Sequence, residues 1–147
     1  MRIHIGSDHA GFALKEHVKA HLLLRGHDVT DVGATSEDSV DYPLFAGVVA
    51  RAVAAKEADF GILVCGTGMG MAIAANKVHG VRAVQVKDPE FASMARMHND
   101  ANVLTLAGRY IDAGQAATIV DTFLATPFEG GRHARRVEEI ADIENGS

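Results

Sequence analysis

Several kinds of chemistry are excluded by what this 147-residue sequence lacks. It has one cysteine, Cys65, so one chain can form neither an internal disulfide nor a multi-cysteine zinc or iron–sulfur site. It has no basic excess: 14 Lys+Arg against 19 Asp+Glu give a net charge of -5, which supplies no global positive field for a nucleic acid. It has no long apolar run. The uncharged stretch from Phe60 to Asn76 is interrupted by Gly61, Gly66, Gly68 and Gly70 and falls short of the roughly 20 apolar residues of a membrane-spanning helix. Asp8 arrives before any apolar segment can develop after Met1, so no signal peptide is visible and a cytoplasmic protein is expected. Low-complexity segments, internal repeats and linkers are also missing. With 48% apolar and 22% charged residues, residues 1–147 read as a single globular domain of ordinary composition.

Short β-rich runs alternate with helical patterns along the chain, which predicts an α/β fold: a Rossmann-like three-layer sandwich around a five-stranded, mainly parallel sheet. Strands are expected at Ile3–Gly6, Val29–Val32, Phe60–Val64, Val81–Val86 and Val103–Ala107. The run Phe60-Gly61-Ile62-Leu63-Val64 is apolar almost throughout, as suits a strand covered on both faces. Phe12, Leu14, Val18, Leu22 and Leu23 mark one helix before Gly26, and Leu44, Phe45, Val48, Val49, Ala52 and Val53 mark another after Tyr42-Pro43. A third helix follows the glycine loop to about Lys77, and a fourth opens with Asp88 as N-cap and Pro89 in its first turn. Two more close the chain, from about Asp112 to Ala125 and from about Arg132 to Glu144. The last is expected to bury Val137, Ile140 and Ala141 and to place Arg132 and Arg136 together, four residues apart.

In an open parallel sheet, ligands bind beyond the carboxyl ends of the strands. The residues expected there are Asp8 and His9 after strand 1, Cys65 to Gly70 after strand 3, His98 and Asn99 after strand 4, and Gly108 and Arg109 after strand 5. In Cys65-Gly66-Thr67-Gly68-Met69-Gly70, alternate glycines leave backbone N–H groups free to close around an oxyanion, or simply make a tight turn. The loop lacks the Gly-Lys-Ser/Thr ending of a P-loop, and Met71 stands where a dinucleotide fingerprint would have its third glycine. Cys65 is either a small buried hydrophobe or a thiol beside a helix N-terminus, a setting that favours thiolate. His98 reads equally as a helix C-cap or as a catalytic acid. Arg132 and Arg136 read as a solvated basic face or, with Arg109 and the bare backbone of Gly130-Gly131, as a phosphate clamp. His4, His17, His21, His27, His79 and His133 are assigned to surface or packing, and His17 and His21 lack the glutamate of a zincin motif.

Taken in order, Gly6-Ser7-Asp8-His9-Ala10-Gly11, Asp41-Tyr42-Pro43, Cys65-Gly66-Thr67-Gly68-Met69-Gly70, Ala74-Ala75-Asn76-Lys77, His98-Asn99-Asp100-Ala101-Asn102 and Glu129-Gly130-Gly131-Arg132-His133 closely resemble the type B ribose-5-phosphate isomerases, whose family also holds the galactose-6-phosphate isomerase subunits. The resemblance runs from residue 1 to about 144. It implies an aldose–ketose isomerase that needs neither metal nor organic cofactor and works as a homodimer or dimer of dimers with active sites at the subunit interface. Cys65 then resembles the base that moves a proton between adjacent carbons through a cis-enediolate. Gly66, Thr67, Gly68 and Gly70 resemble the site that holds the enediolate, with Thr67 counted among the catalytic groups. His98 resembles the acid that opens the sugar ring, with Asp8 and Asn99 near the sugar oxygens. His9, Arg109, Arg132 and Arg136 resemble the phosphate clamp, and Tyr42 the pocket wall.

Some members of that family lack the cysteine and carry a glutamate after the last loop glycine. Here that position is Met71, so Cys65 has no acidic substitute there. Ribose 5-phosphate and ribulose 5-phosphate are the expected pair, with allose, galactose or tetrose phosphates as alternatives within the family. A non-catalytic nucleotide- or sugar-phosphate-binding module is the contrasting reading, and it leaves Cys65 and His98 without a purpose.

Overall fold

The computed structural model describes residues 1–147. Strands β1 (Arg2–Ser7), β2 (Asp28–Asp31), β3 (Phe60–Cys65), β4 (Ala83–Gln85) and β5 (Val103–Ala107) form one sheet in the order β2-β1-β3-β5-β4. Every pairing is parallel, so the sheet is wholly parallel. Helices α1 (Phe12–Leu24), α2 (Tyr42–Ala54), α3 (Met69–Ala75), α4 (Pro89–Asn99), α5 (Ala113–Ala125) and α6 (Arg132–Glu144) complete the chain.

Alternation along the strands divides the core in two. Ile62 and Val64 of β3 face one side, where they pack with Leu14 and Val18 of α1, Ala92 of α4 and Phe123 of α5. Leu63 and Cys65 face the other, among Val49 and Val53 of α2 and Met71 and Ala75 of α3. The sheet is therefore the middle of three layers, and β3 is buried on both faces as its apolar run requires. The chain leaving β3 turns toward the α2/α3 layer, whereas the chains leaving its neighbours β1 and β5 turn toward the α1/α4/α5 layer. The carboxyl end of β3 is thus flanked by the crevices that parallel sheets use for ligands.

Two local devices hold the frame. Asp88 caps α4 by accepting from Phe91 N at 2.8 Å, as expected, and Asp112 with Gln115 forms a capping box on α5. The ammonium of Lys15, 1% exposed, donates to both oxygens of Asp31 at 2.8 Å and to the carbonyl of Ala34 at 2.7 Å. Lys19 donates to the same carboxylate at 2.9 Å, so α1 is fastened to the end of β2 and the loop that follows it.

Several boundaries differ from expectation. β4 is Ala83–Gln85 instead of Val81–Val86, because Asn76 takes the place of a neighbouring strand: its Oδ1 accepts from Ala83 N and its Nδ2 donates to Ala83 O, both at 2.8 Å. α3 ends at Ala75, where the chain tightens with Lys77 N donating to Ala74 O. β2 is Asp28–Asp31, one residue earlier than expected. Leu23, Leu44 and Val48 lie on exposed faces of α1 and α2. On α6, Val137 is half-buried while Ile140 and Ala141 are exposed. The apolar side expected to be buried there is uncovered within one chain, because α6 packs mainly through its first turn, where His133 is the buried residue.

Candidate active site

The carboxyl edge of β3 is built around Cys65. Cys65 is 5% exposed, and its Sγ accepts a hydrogen bond from Gly68 N at 3.2 Å. Gly68 has φ +78°, and a Cβ there would stand 3.0 Å from the Leu106 carbonyl, so the turn that brings this amide to the sulfur needs glycine. The loop is pinned from two strands: Thr105 Oγ1 donates to Gly68 O at 2.7 Å and Gln85 Nε2 to Thr67 O at 2.9 Å. Thr67 Oγ1 accepts from Met69 N at 3.2 Å. The amides of Gly66, Thr67 and Gly70 have no acceptor within the chain, which leaves three donors that an oxyanion could use.

Neighbouring segments close around this loop. Asp8 is buried, accepts from Gly11 N at 3.0 Å and is tied to β3 by its own amide. His9 Nδ1 accepts from Val40 N at 3.2 Å, which joins it to the segment before α2. A Cβ on Gly70 would meet the Tyr42 ring at 2.6 Å, and one on Gly66 would meet the Arg109 guanidinium at 3.2 Å. Arg109 is held there because its N donates to Gly66 O at 3.1 Å while Gly108 N donates to Cys65 O at 2.8 Å. One end of the sheet therefore gathers Asp8, His9, Tyr42, Cys65, Thr67 and Arg109 with the three loop glycines.

His98 and Asn99 are not at that end, contrary to expectation. α4 leaves the carboxyl edge after β4 and runs back beside the sheet, so its last turn reaches the amino edge just before β5. Arg82, which precedes β4, donates from Nε to Asn99 O at 3.2 Å and to Asp100 O at 2.9 Å. The five residues of β5, at about 3.3 Å each, separate the two edges by roughly 15 Å. Arg132 and Arg136, exposed on α6, also belong to the His98 end. The expected site is thus two half-sites on opposite edges.

The second half-site contains two residues that the sequence reading did not select. His133 was assigned to surface or packing, yet its ring stacks on that of His98 with centroids 4.3 Å apart and planes 13° apart. Glu129 reaches both imidazoles, with Oε2 3.8 Å from His98 Nε2 and Oε1 4.0 Å from His133 Nε2. The available signal was the four-residue spacing of Glu129 and His133 beside Arg132. Arg96 sets the geometry: its buried guanidinium donates to Asp100, Ala101 O and Thr126 O, gripping both segments that flank the cluster. Glu129 N donates to Met97 O at 3.1 Å and docks the loop on α4. Burial, together with the neighbouring His98 ring and the positive charges of Arg132 and Arg136, holds the His133 imidazole below its ordinary pKa despite the opposing pull of Glu129.

His98, Glu129 and His133 are also the one group whose donor atoms come within metal-like reach, all lying within 4.8 Å of one another. The geometry does not suit an ion. Stacked imidazoles direct their lone pairs side by side instead of toward one point, and Arg132 and Arg136 add repulsion. An anion or a hydroxyl fits this surface better than a cation does.

Comparison with known proteins matches a family model described as Ribose/Galactose Isomerase to residues 3–140. The ribose-5-phosphate isomerase B of Escherichia coli (strain K12) is 50% identical over 143 residues, covering 97% of this chain and 96% of that protein. A crystal structure of a ribose 5-phosphate isomerase from Thermotoga maritima superposes with TM-score 0.94 at 55% identity, covering 96% of this chain and 97% of that one. The Mycoplasma genitalium ribose-5-phosphate isomerase B, solved with bound ribulose 5-phosphate, has TM-score 0.95 at 43% identity, covering 99% of this chain and 97% of that one.

Proposed function

The chain belongs to the ribose/galactose isomerase family, and from that membership and the geometry of its two half-sites we propose that it interconverts ribose 5-phosphate and ribulose 5-phosphate through a cis-enediolate. The observation that carries this reading is Cys65 at the mouth of a loop whose amides of Gly66, Thr67 and Gly70 are free. His98 protonates the furanose ring oxygen as the bond from that oxygen to C1 breaks, and the C1 hydroxyl gives its proton to water, which leaves the open-chain aldehyde. The Cys65 thiolate then takes the proton from C2, and the C2–H electron pair moves into the C1 carbonyl to give the enediolate. A proton passes from the C2 oxygen to the C1 oxygen, with Thr67 Oγ1 at hand, and the Cys65 thiol returns its proton to C1. Hydrogen travels only as a proton, so the reaction balances without an oxidant or reductant.

The loop amides stabilise charge that exists only during reaction, the kind of donor that accelerates a chemical step. Asp8 and Asn99 hold sugar hydroxyls, Tyr42 walls the pocket, and His9 with Arg109, Arg132 and Arg136 holds the phosphate. Because Cys65 and His98 lie on opposite edges of one sheet, a complete site draws on two copies of the chain, one supplying the Cys65 edge and its partner the His98 edge. The exposed apolar side chains Leu44, Val48, Met69 and Ile73 beside the Cys65 loop, and Ile140 and Ile143 on α6, support such an assembly. No helix is long and apolar enough to cross a membrane. That fits the cytoplasmic location we propose for an enzyme of phosphorylated sugars, and the net charge of -5 gives no reason to add nucleic acid as a partner.

The family description also names galactose, so the same chemistry on a longer sugar phosphate is the second reading. The test is turnover of ribose 5-phosphate, galactose 6-phosphate and allose 6-phosphate by the purified protein in chelator, with no nicotinamide cofactor added. Fastest turnover of ribose 5-phosphate is expected; no turnover of any of the three overturns the isomerase reading.

A further inference from the structure

We propose that His133 is a further substrate-contacting residue, whose Nε2 hydrogen-bonds a sugar oxygen beside the one that His98 protonates; this rests on the shared-site reading above. His133 is 7% exposed, and its Nε2 has no hydrogen-bond partner. Buried polar atoms are nearly always paired, so an orphan at a site mouth points to a group that arrives later. Nothing nearby fills the role. Glu129 Oε1 at 4.0 Å is beyond hydrogen-bond reach, and His98 offers the face of its ring, not an acceptor. The His133 amide donates to Gly130 O at 3.0 Å, which fixes the first turn of α6, and the stacked His98 ring fixes the plane of the imidazole.

The surroundings define the ligand chemistry. Arg132 and Arg136 on α6 face His133 with positive charge, His98 on α4 stacks against it, and Glu129 on the preceding loop is the one carboxylate that opposes the guanidiniums. Burial and that field favour the neutral form of His133, while the adjacent guanidiniums supply fixed positive charge for a phosphate. A neutral imidazole nitrogen is matched instead to a sugar hydroxyl, which both donates and accepts.

His133→Phe tests this directly, because phenylalanine keeps a ring that can stack on His98 and removes the nitrogen. The kcat/KM for ribose 5-phosphate should fall about tenfold or more, while inhibition by inorganic phosphate stays within about twofold. An unchanged kcat/KM overturns the inference. A second measurement keeps His133 in place: in Cys65→Ala protein carrying 15N-labelled histidine, ribulose 5-phosphate should move the His133 Nε2 resonance and inorganic phosphate should not. Movement by neither compound, or equally by both, overturns the contact with a sugar oxygen. Failure of the unaltered protein to turn over ribose 5-phosphate overturns the underlying reading as well. Normal turnover with an unmoved His133 resonance removes this inference alone.

Discussion

Cys65 ends β3 at the carboxyl edge of the sheet, and His98 lies in the last turn of α4 at the amino edge. With Cys65 as the proposed base and His98 as the proposed ring-opening acid, the two cannot meet in one chain. In the two-fold dimer proposed above, each site would take Cys65 from one protomer and His98 from its partner. Mixing Cys65→Ala with His98→Asn protein, each nearly inactive alone, should therefore restore activity. Random exchange makes about half the dimers mixed, each with one intact site, so about a quarter of native activity is expected. No recovery after exchange verified by native mass spectrometry would place both residues in the same site of one chain.

Arg132 and Arg136 stand with His98, while Arg109 leans over Gly66 beside Cys65. If one phosphate is held by all three, removing one guanidinium weakens binding without touching the proton transfer. Charge-assisted contacts contribute about 1.5–3 kcal/mol each, so Arg136→Ala should raise KM roughly ten- to a hundredfold. Steady-state kinetics across a salt series checks this, and unchanged KM with lowered kcat would move Arg136 out of the clamp.

Much of this arrangement is legible in the sequence, and the parts that are not share a cause. The apolar run of β3, the Asp88 cap and the limits of α6 follow from local patterns. The edge on which His98 falls depends on the return direction of α4, which spacing along the chain does not encode. The apolar spacing of Ile140 marks a face to be covered but says nothing about which chain covers it. His133 looks like one more surface histidine until the loop carrying Glu129 docks on Met97 and stacks its ring on His98.

The amide of Gly68 is the one hydrogen-bond donor to the Cys65 sulfur, and that contact depends on the left-handed turn at Gly68. Gly68→Ala adds a methyl group in strained backbone, 3.0 Å from the Leu106 carbonyl. We expect a loss of about 1–3 kcal/mol in stability and at least a tenfold loss in kcat as the amide leaves the sulfur. Thermal denaturation and single-turnover kinetics measure the two effects. A variant with native stability and native kcat would mean that the loop tolerates another path.

The buried ammonium of Lys15 depends on Asp31. Burial alone would raise the Asp31 carboxyl, but the bonds from Lys15, Lys19 and the Gly33 amide outweigh it and hold the carboxyl below its ordinary pKa. The folded protein therefore binds this proton less readily than the unfolded chain does. The contribution to stability is complete above the unfolded carboxylate pKa of about 3.9 and is lost as pH falls through the lower folded value. Asp31→Asn should cost about 3 kcal/mol at pH 7, since it leaves a buried cation poorly matched, and that deficit should shrink below about pH 4 as native Asp31 protonates. Asp59, also held below its ordinary value by bonds from the Arg2 amide and side chain, keeps some acid sensitivity in both proteins. Urea denaturation of native and Asp31→Asn protein from pH 7 to pH 3 separates the two contributions. Parallel curves with a constant gap would show that the Asp31 carboxylate is not what couples α1 and β2 to pH.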